Sequence, residues 1–110
     1  MNRLLFLPLL LLLACQTPSA RRELETHWQF IDRFLLWEHQ NRPGGDLSEL
    51  ADRIRDTFPA LWNTAVHFSK GTAENRVVYE SIIVRIRALV AEVAEKWTSY
   101  EHSRGTSNSP

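Results

Sequence analysis

The side chains able to do chemistry in this chain are few and scattered. Its histidines are His27, His39, His67 and His102, and no two of them lie three or four residues apart. No helix therefore presents a pair of imidazoles to one metal ion. Carboxylates are more numerous, with Glu23, Glu25, Asp32 and Glu38 in one stretch and Glu92 and Glu95 in another. They fall on polar helix faces, not in the facing pair that acid–base catalysis needs. No Ser, His and Asp stand in an arrangement that singles out a nucleophile. Gly44-Gly45 is followed by Asp46, an acidic cap that repels a phosphate instead of cradling it. The only thiol is Cys15. An intramolecular disulfide, a Cys-X-X-Cys redox pair and a cysteine metal cluster are all excluded. The only methionine is Met1, which excludes a Met/His haem bundle. The pattern points to a non-enzymatic protein with no cofactor and no metal site.

Cys15 gains meaning from what precedes it. Arg3 supplies a positive start, and Leu4 to Ala14 is almost purely apolar. That run matches the hydrophobic core of an export signal and is too short to span a bilayer, which takes about 20 residues. Pro8 further weakens it as a straight spanning helix. Ordinary signal cleavage wants small residues at −3 and −1, and neither Ala14 nor Ala20 offers both. Leu12-Leu13-Ala14-Cys15 instead resembles the lipobox of bacterial lipoproteins. The resemblance implies that the signal 1–14 is removed and that Cys15 becomes the acylated first residue, carrying diacylglyceryl and an amide-linked chain such as palmitate. Two or more acyl chains hold a protein stably on a membrane. Gln16, in place of Asp, resembles the pattern sorted to the outer membrane, with the domain facing the periplasm.

Composition narrows the partners. Lys plus Arg and Asp plus Glu number 13 each, and loss of Arg3 leaves 12 basic against 13 acidic residues. Nucleic acid, which calls for a marked basic excess, is not expected. A polybasic membrane signal is absent apart from Arg21-Arg22 beside the anchor. The remaining length suits one small domain.

The elements that position these residues read as helices. Residues 15–21 form the lipidated end and a short tether, and the bundle occupies 22–102. In the first segment Leu24, Trp28, Ile31 and Leu35 make a helical stripe. His27, Phe30, Phe34 and Trp37 widen it, and Leu36 falls opposite. Arg42-Pro43-Gly44-Gly45 ends the segment. A second segment opens on a capping box, Asp46-Leu47-Ser48-Glu49. It carries Leu50, Ala51, Ile54 and Phe58 on one face and is expected to end or bend before Pro59. A third runs from Pro59 to Phe68 and stops at Gly71. The last begins with Thr72 as N-cap and continues to Tyr100 through Tyr79, Ile82, Ile86, Leu89, Val93 and Trp97. Its β-branched run from Val77 to Ile86 favours a strand locally, but the sustained three-four period decides for helix. Residues 103–110 read as a disordered polar tail. The expected fold is all-α, a small antiparallel bundle of three to four helices after the signal peptide. The aromatic residues of its first and last segments are natural packing partners.

Trp28, Trp37, Trp62 and Trp97 are the most distinctive residues of the domain. Tryptophan is enriched at protein–protein hot spots, and it also fills small cores. Trp37, beside Leu36 at the edge of its stripe, is expected to be the most exposed. Trp28, Phe34, Leu36 and Trp37 are the candidate partner-binding residues. In size, lipobox and helicity the chain resembles small helical secretin pilotins, which implies an adaptor or assembly factor that binds an envelope protein in an apolar groove. Two other readings stay open. One is an envelope ligand- or metal-binding bundle using His27 and core carboxylates. The other is an exclusion or lysis lipoprotein of a mobile element.

Overall fold

The computed structural model describes the backbone of residues 2–108 and the side chains of residues 20–104. It is all-helical: α1 (Asn2–Asn41), α2 (Gly45–Phe68) and α3 (Ala73–Asn108). The stretch 1–21, expected to hold the signal and tether, falls largely within α1, and the side chain of Cys15 lies outside the described residues. The three helices run up, down and up, and each packs against the other two.

The apolar stripes meet in one core. α1 contributes Leu24, Ile31 and Phe34, and α3 contributes Tyr79, Ile83, Ile86 and Val93. α2 contributes the longest buried stripe, from Leu47 through Leu50, Ile54 and Phe58 to Ala65. Aromatic rings fill the space between α1 and α3. Trp97 packs 5.3 Å from Phe34, 5.3 Å from Trp37 and 5.9 Å from Phe30, measured between ring centroids. Tyr100 meets Trp37 edge-on at 5.4 Å. The expected pairing of first-segment and last-segment aromatics is what joins these helices.

Two expected helices are one. Pro59 lies inside α2, and the chain stays helical across it. An interior proline removes one backbone hydrogen bond and costs about 3 kcal/mol. Tertiary packing offsets that cost. Ile54 and Phe58 above the proline and Ala65 below it are buried in the same core, and Trp62 Nε1 donates to the Leu24 carbonyl of α1 at 3.2 Å. The proline ring itself is exposed.

The caps also differ in part from the sequence pattern. The Asp46–Glu49 capping box does not form. Gly44 occupies the N-cap position at φ 74° and ψ −173°, a conformation essentially restricted to glycine. Its N–H donates to Ser48 Oγ at 2.9 Å, and Ser48 N–H donates back to the Gly44 carbonyl. Asp46 is left exposed in the first turn, where its charge favours the helix dipole. The other ends follow expectation. Thr72 Oγ1 accepts from Asn75 N–H at 3.1 Å, and Gly71 takes a positive φ of 45°. α3 extends to Asn108, beyond Ser103, where a disordered tail was expected. Arg104 lies over the Tyr100 ring one turn earlier and supports the helix past that point.

Candidate functional site

The α1–α2 seam carries an open apolar groove of about 130 Å³. α1 supplies Trp28, Ile31, Asp32 and Leu35, and α2 supplies Ile54, Arg55, Phe58 and Pro59. These positions recur three or four apart on each helix, so each helix offers one continuous wall. The volume is close to that of apolar cavities that accept a benzene ring. One or two apolar side chains from another chain fit it.

Trp28 forms the rim. It stacks obliquely on Trp62 at 4.9 Å and on Phe58 at 5.9 Å, yet 41% of its surface stays exposed. The ring is held in place and partly open, as a hot-spot residue requires. Pro59 completes the opposite side, and its missing N–H leaves no donor to hydrate there.

A buried polar network fixes the groove's charged edge. Glu38 is almost fully buried. Its Oε1 accepts from Arg55 Nη2 at 2.6 Å, and its Oε2 accepts from Ser48 Oγ at 3.0 Å. The same guanidinium reaches the Leu35 carbonyl at 3.3 Å and Asp52 at 3.3 Å. Burial works against ionisation of Glu38, but the hydrogen bonds from Arg55 and Ser48 outweigh it and hold the carboxyl below its usual range. Arg55 is thus neutralised from within. Asp32, exposed on the groove wall, makes no ion pair among the described residues. The groove therefore presents an apolar floor with a free carboxylate at its edge.

A second ion-pair site ties α1 to α3. Arg87 Nε and Nη2 grip Glu23 at 2.6 and 2.9 Å, and His27 Nε2 lies 2.9 Å from the same carboxylate. The Arg87 hydrogen bonds chiefly hold the Glu23 carboxyl down at about 2, against the opposing effect of partial burial. His27 is a half-buried residue on this pair. Among the described residues no group of three or more His, Cys, Asp or Glu side chains gathers as metal ligands would. Among them also, no helix is long and apolar enough to cross a membrane.

The four residues singled out from the sequence divide. Trp28 lines the groove. Phe34 is wholly buried in the core and offers nothing to a partner in this state. Leu36 is 55% exposed but stands apart from the groove. Trp37, expected to be the most exposed tryptophan, is half-buried against Trp97 and Tyr100. Trp28 and Trp37 are nine residues apart, about two and a half turns, and so flank the stripe on opposite sides. α3 covers one flank with Trp97, while α2 leaves the other partly open. Sequence reasoning missed Asp32, Arg55, Phe58 and Pro59 as wall residues. The signal was present in Pro59, an exposed proline within an otherwise unbroken helical period.

Comparison with known proteins adds no relative to this geometry: neither a family model, a curated protein nor a solved structure matches the chain.

Proposed function

We propose that this chain is a lipid-anchored adaptor of a bacterial envelope, tethered through acylated Cys15, whose α1–α2 groove binds a segment of another envelope protein. The groove is the observation that carries the reading: half-exposed Trp28 over an apolar floor built by Ile31, Leu35, Ile54 and Phe58. The lipobox Leu12-Leu13-Ala14-Cys15 supports the address. The outer membrane, periplasmic side, is the location its Gln16 favours.

The groove's chemistry defines its occupant. Asp32 on the wall and Asp56 nearby on α2 are exposed carboxylates without an ion pair among the described residues. Arg55, the cation at the edge, is already held by Glu38 and Asp52. The complementary partner is an amphipathic helix that inserts one or two apolar side chains and flanks them with Lys or Arg. The role proposed is binding: the lining residues include one carboxylate, Asp32, and no nucleophile or second acid–base group to pair with it.

A photo-cross-linking residue at Pro59, read in native envelopes, tests this. It should capture one dominant protein at an apolar stretch bordered by basic residues. A cross-linker at Arg85, on the α2–α3 seam and outside the groove, should not capture it, and Trp28→Ala should abolish the capture. Equal capture at both positions, or capture indifferent to Trp28, contradicts the docking role.

A further inference from the structure

The two ends of the bundle differ in charge, and antiparallel packing creates the difference. At the end where α1 enters the bundle, Ala20 meets the α2–α3 turn. Ala20, Phe68, Thr72 and Arg76 line one depression of about 360 Å³ there. Residues 20–22 and 68–77 form this tip. They carry four cations, Arg21, Arg22, Lys70 and Arg76, against one carboxylate, Glu74. All four cations are exposed, and none makes an ion pair with a described residue. Elsewhere Arg53, Arg55, Arg87 and Lys96 are each held by a carboxylate, whereas Arg33 and Arg85 are exposed without an ion pair among the described residues. Glu80 also borders the depression, but it stands one turn farther along α3. At the opposite end Arg42 and Arg104 are balanced by Asp46 and Glu101. The cationic tip also carries apolar side chains, half-buried Phe68 and the 72% exposed Val77.

We infer that this tip is a second membrane contact, seating the bundle end-on upon anionic phospholipid headgroups. The inference rests on the lipid-anchor reading of Cys15. Ala20 lies five positions after Cys15, so the chain reaches at most about 17 Å even when extended. The anchor therefore keeps the tip within about one Debye length of the surface at physiological salt when this stretch is helical as in α1, and within about two when it is extended. Each basic side chain so placed favours an anionic surface about fivefold, and Glu74 offsets one of the four. Phe68 and Val77 add apolar contact at the headgroup boundary. End-on seating leaves the α1–α2 groove facing sideways, open to a partner instead of pressed against lipid.

The test uses lipidated protein from envelopes, reconstituted in vesicles of phosphatidylcholine alone or with phosphatidylglycerol. Lys70 is labelled with an amine-reactive ester and Arg76 with phenylglyoxal, and rates are read by peptide mass spectrometry. Lys96 and Arg42 serve as references away from the tip. Labelling of Lys70 and Arg76 should slow about fivefold or more on the anionic vesicles. It should recover at about 1 M salt, where the Debye length is about 3 Å, while the references do not change. Equal rates on both vesicles overturn the inference. So does equal slowing by inorganic phosphate on neutral vesicles, which would make the tip a site for free phosphate. Intact mass and vesicle flotation of the same sample separate the two claims. A chain without acylated Cys15 fails the anchor reading and this inference together. An acylated, floating chain with unprotected Lys70 fails this inference alone.

Discussion

Removing Arg55 should cost more than removing the carboxylate it serves. The pair joins two unequal partners: Glu38 is almost fully buried, whereas the Arg55 side chain keeps 38% of its surface exposed. Arg55→Ala strands a buried carboxylate with only Ser48 to satisfy it. Breaking a buried pair costs about 3–5 kcal/mol, and the remaining Ser48 hydrogen bond brings the expectation to about 3. Glu38→Ala strands a guanidinium that rehydrates and still has Asp52, so about 1.5 kcal/mol is expected. The double variant should fall short of the sum by about 1–2 kcal/mol. Urea unfolding with an unchanged m value measures all three. A pH arm sharpens the test. Without Arg55, burial dominates and the folded-state pKa of Glu38 rises above its unfolded value. The native state then binds the proton more tightly, so the deficit of Arg55→Ala shrinks as pH falls from 7 toward 4.5. Equal costs for the two single variants, full additivity, or a deficit that ignores pH would refute the reasoning.

Three further outcomes are expected. Pro59→Ala restores the missing helix hydrogen bond at an exposed site and should stabilise the bundle by about 1–3 kcal/mol, read as a rise in Tm, while weakening partner capture. Arg42 sits at φ 45°, a left-handed conformation that costs a non-glycine residue about 1 kcal/mol, so Arg42→Gly should be neutral to stabilising by about that amount in chemical denaturation. The wild-type protein should lose stability in acid. Glu23 is held at about 2 by Arg87, and Glu38 and Glu92 also lie below their usual range, so their contributions are complete above pH 4.5 and vanish as pH falls toward 2. Glu23–Arg87 is partly exposed and supplies about 1 kcal/mol of this after solvent screening, which Arg87→Met should remove from a thermal melt recorded against pH.

How much of this was legible in the sequence depends on which interaction decided each feature. The apolar periods of the first and last segments, the Thr72 cap and the Gly71 stop are local, and the structure carries them. Pro59 reads locally as a break. Its helix survives because the core residues on both sides belong to one stripe, a tertiary fact that neither neighbour reveals. Ser48 was hidden inside a capping box. It serves Gly44 and Glu38 because the helix starts one residue before Asp46. For the tryptophans, periodicity marks a face but not which neighbour covers its flanks. Trp37 met Trp97 and was covered, whereas Trp28 met a turn of α2 that ends at Pro59 and was left half open. The charged tip was equally invisible, because Arg21-Arg22 and Lys70 to Arg76 become neighbours only when α1 and the α2–α3 turn share an end.

The envelope adaptor role and the end-on membrane contact both depend on the bundle being tethered through Cys15. The most direct measurement is the intact mass of the protein isolated from native envelopes, with peptide sequencing of its amino terminus. The account predicts a chain that begins at Cys15 and carries diacylglyceryl and amide-linked acyl groups, and a Cys15→Ala form that retains Met1 and no lipid. A wild-type chain that retains residues 1–14, or is cut elsewhere and carries no lipid, would contradict it.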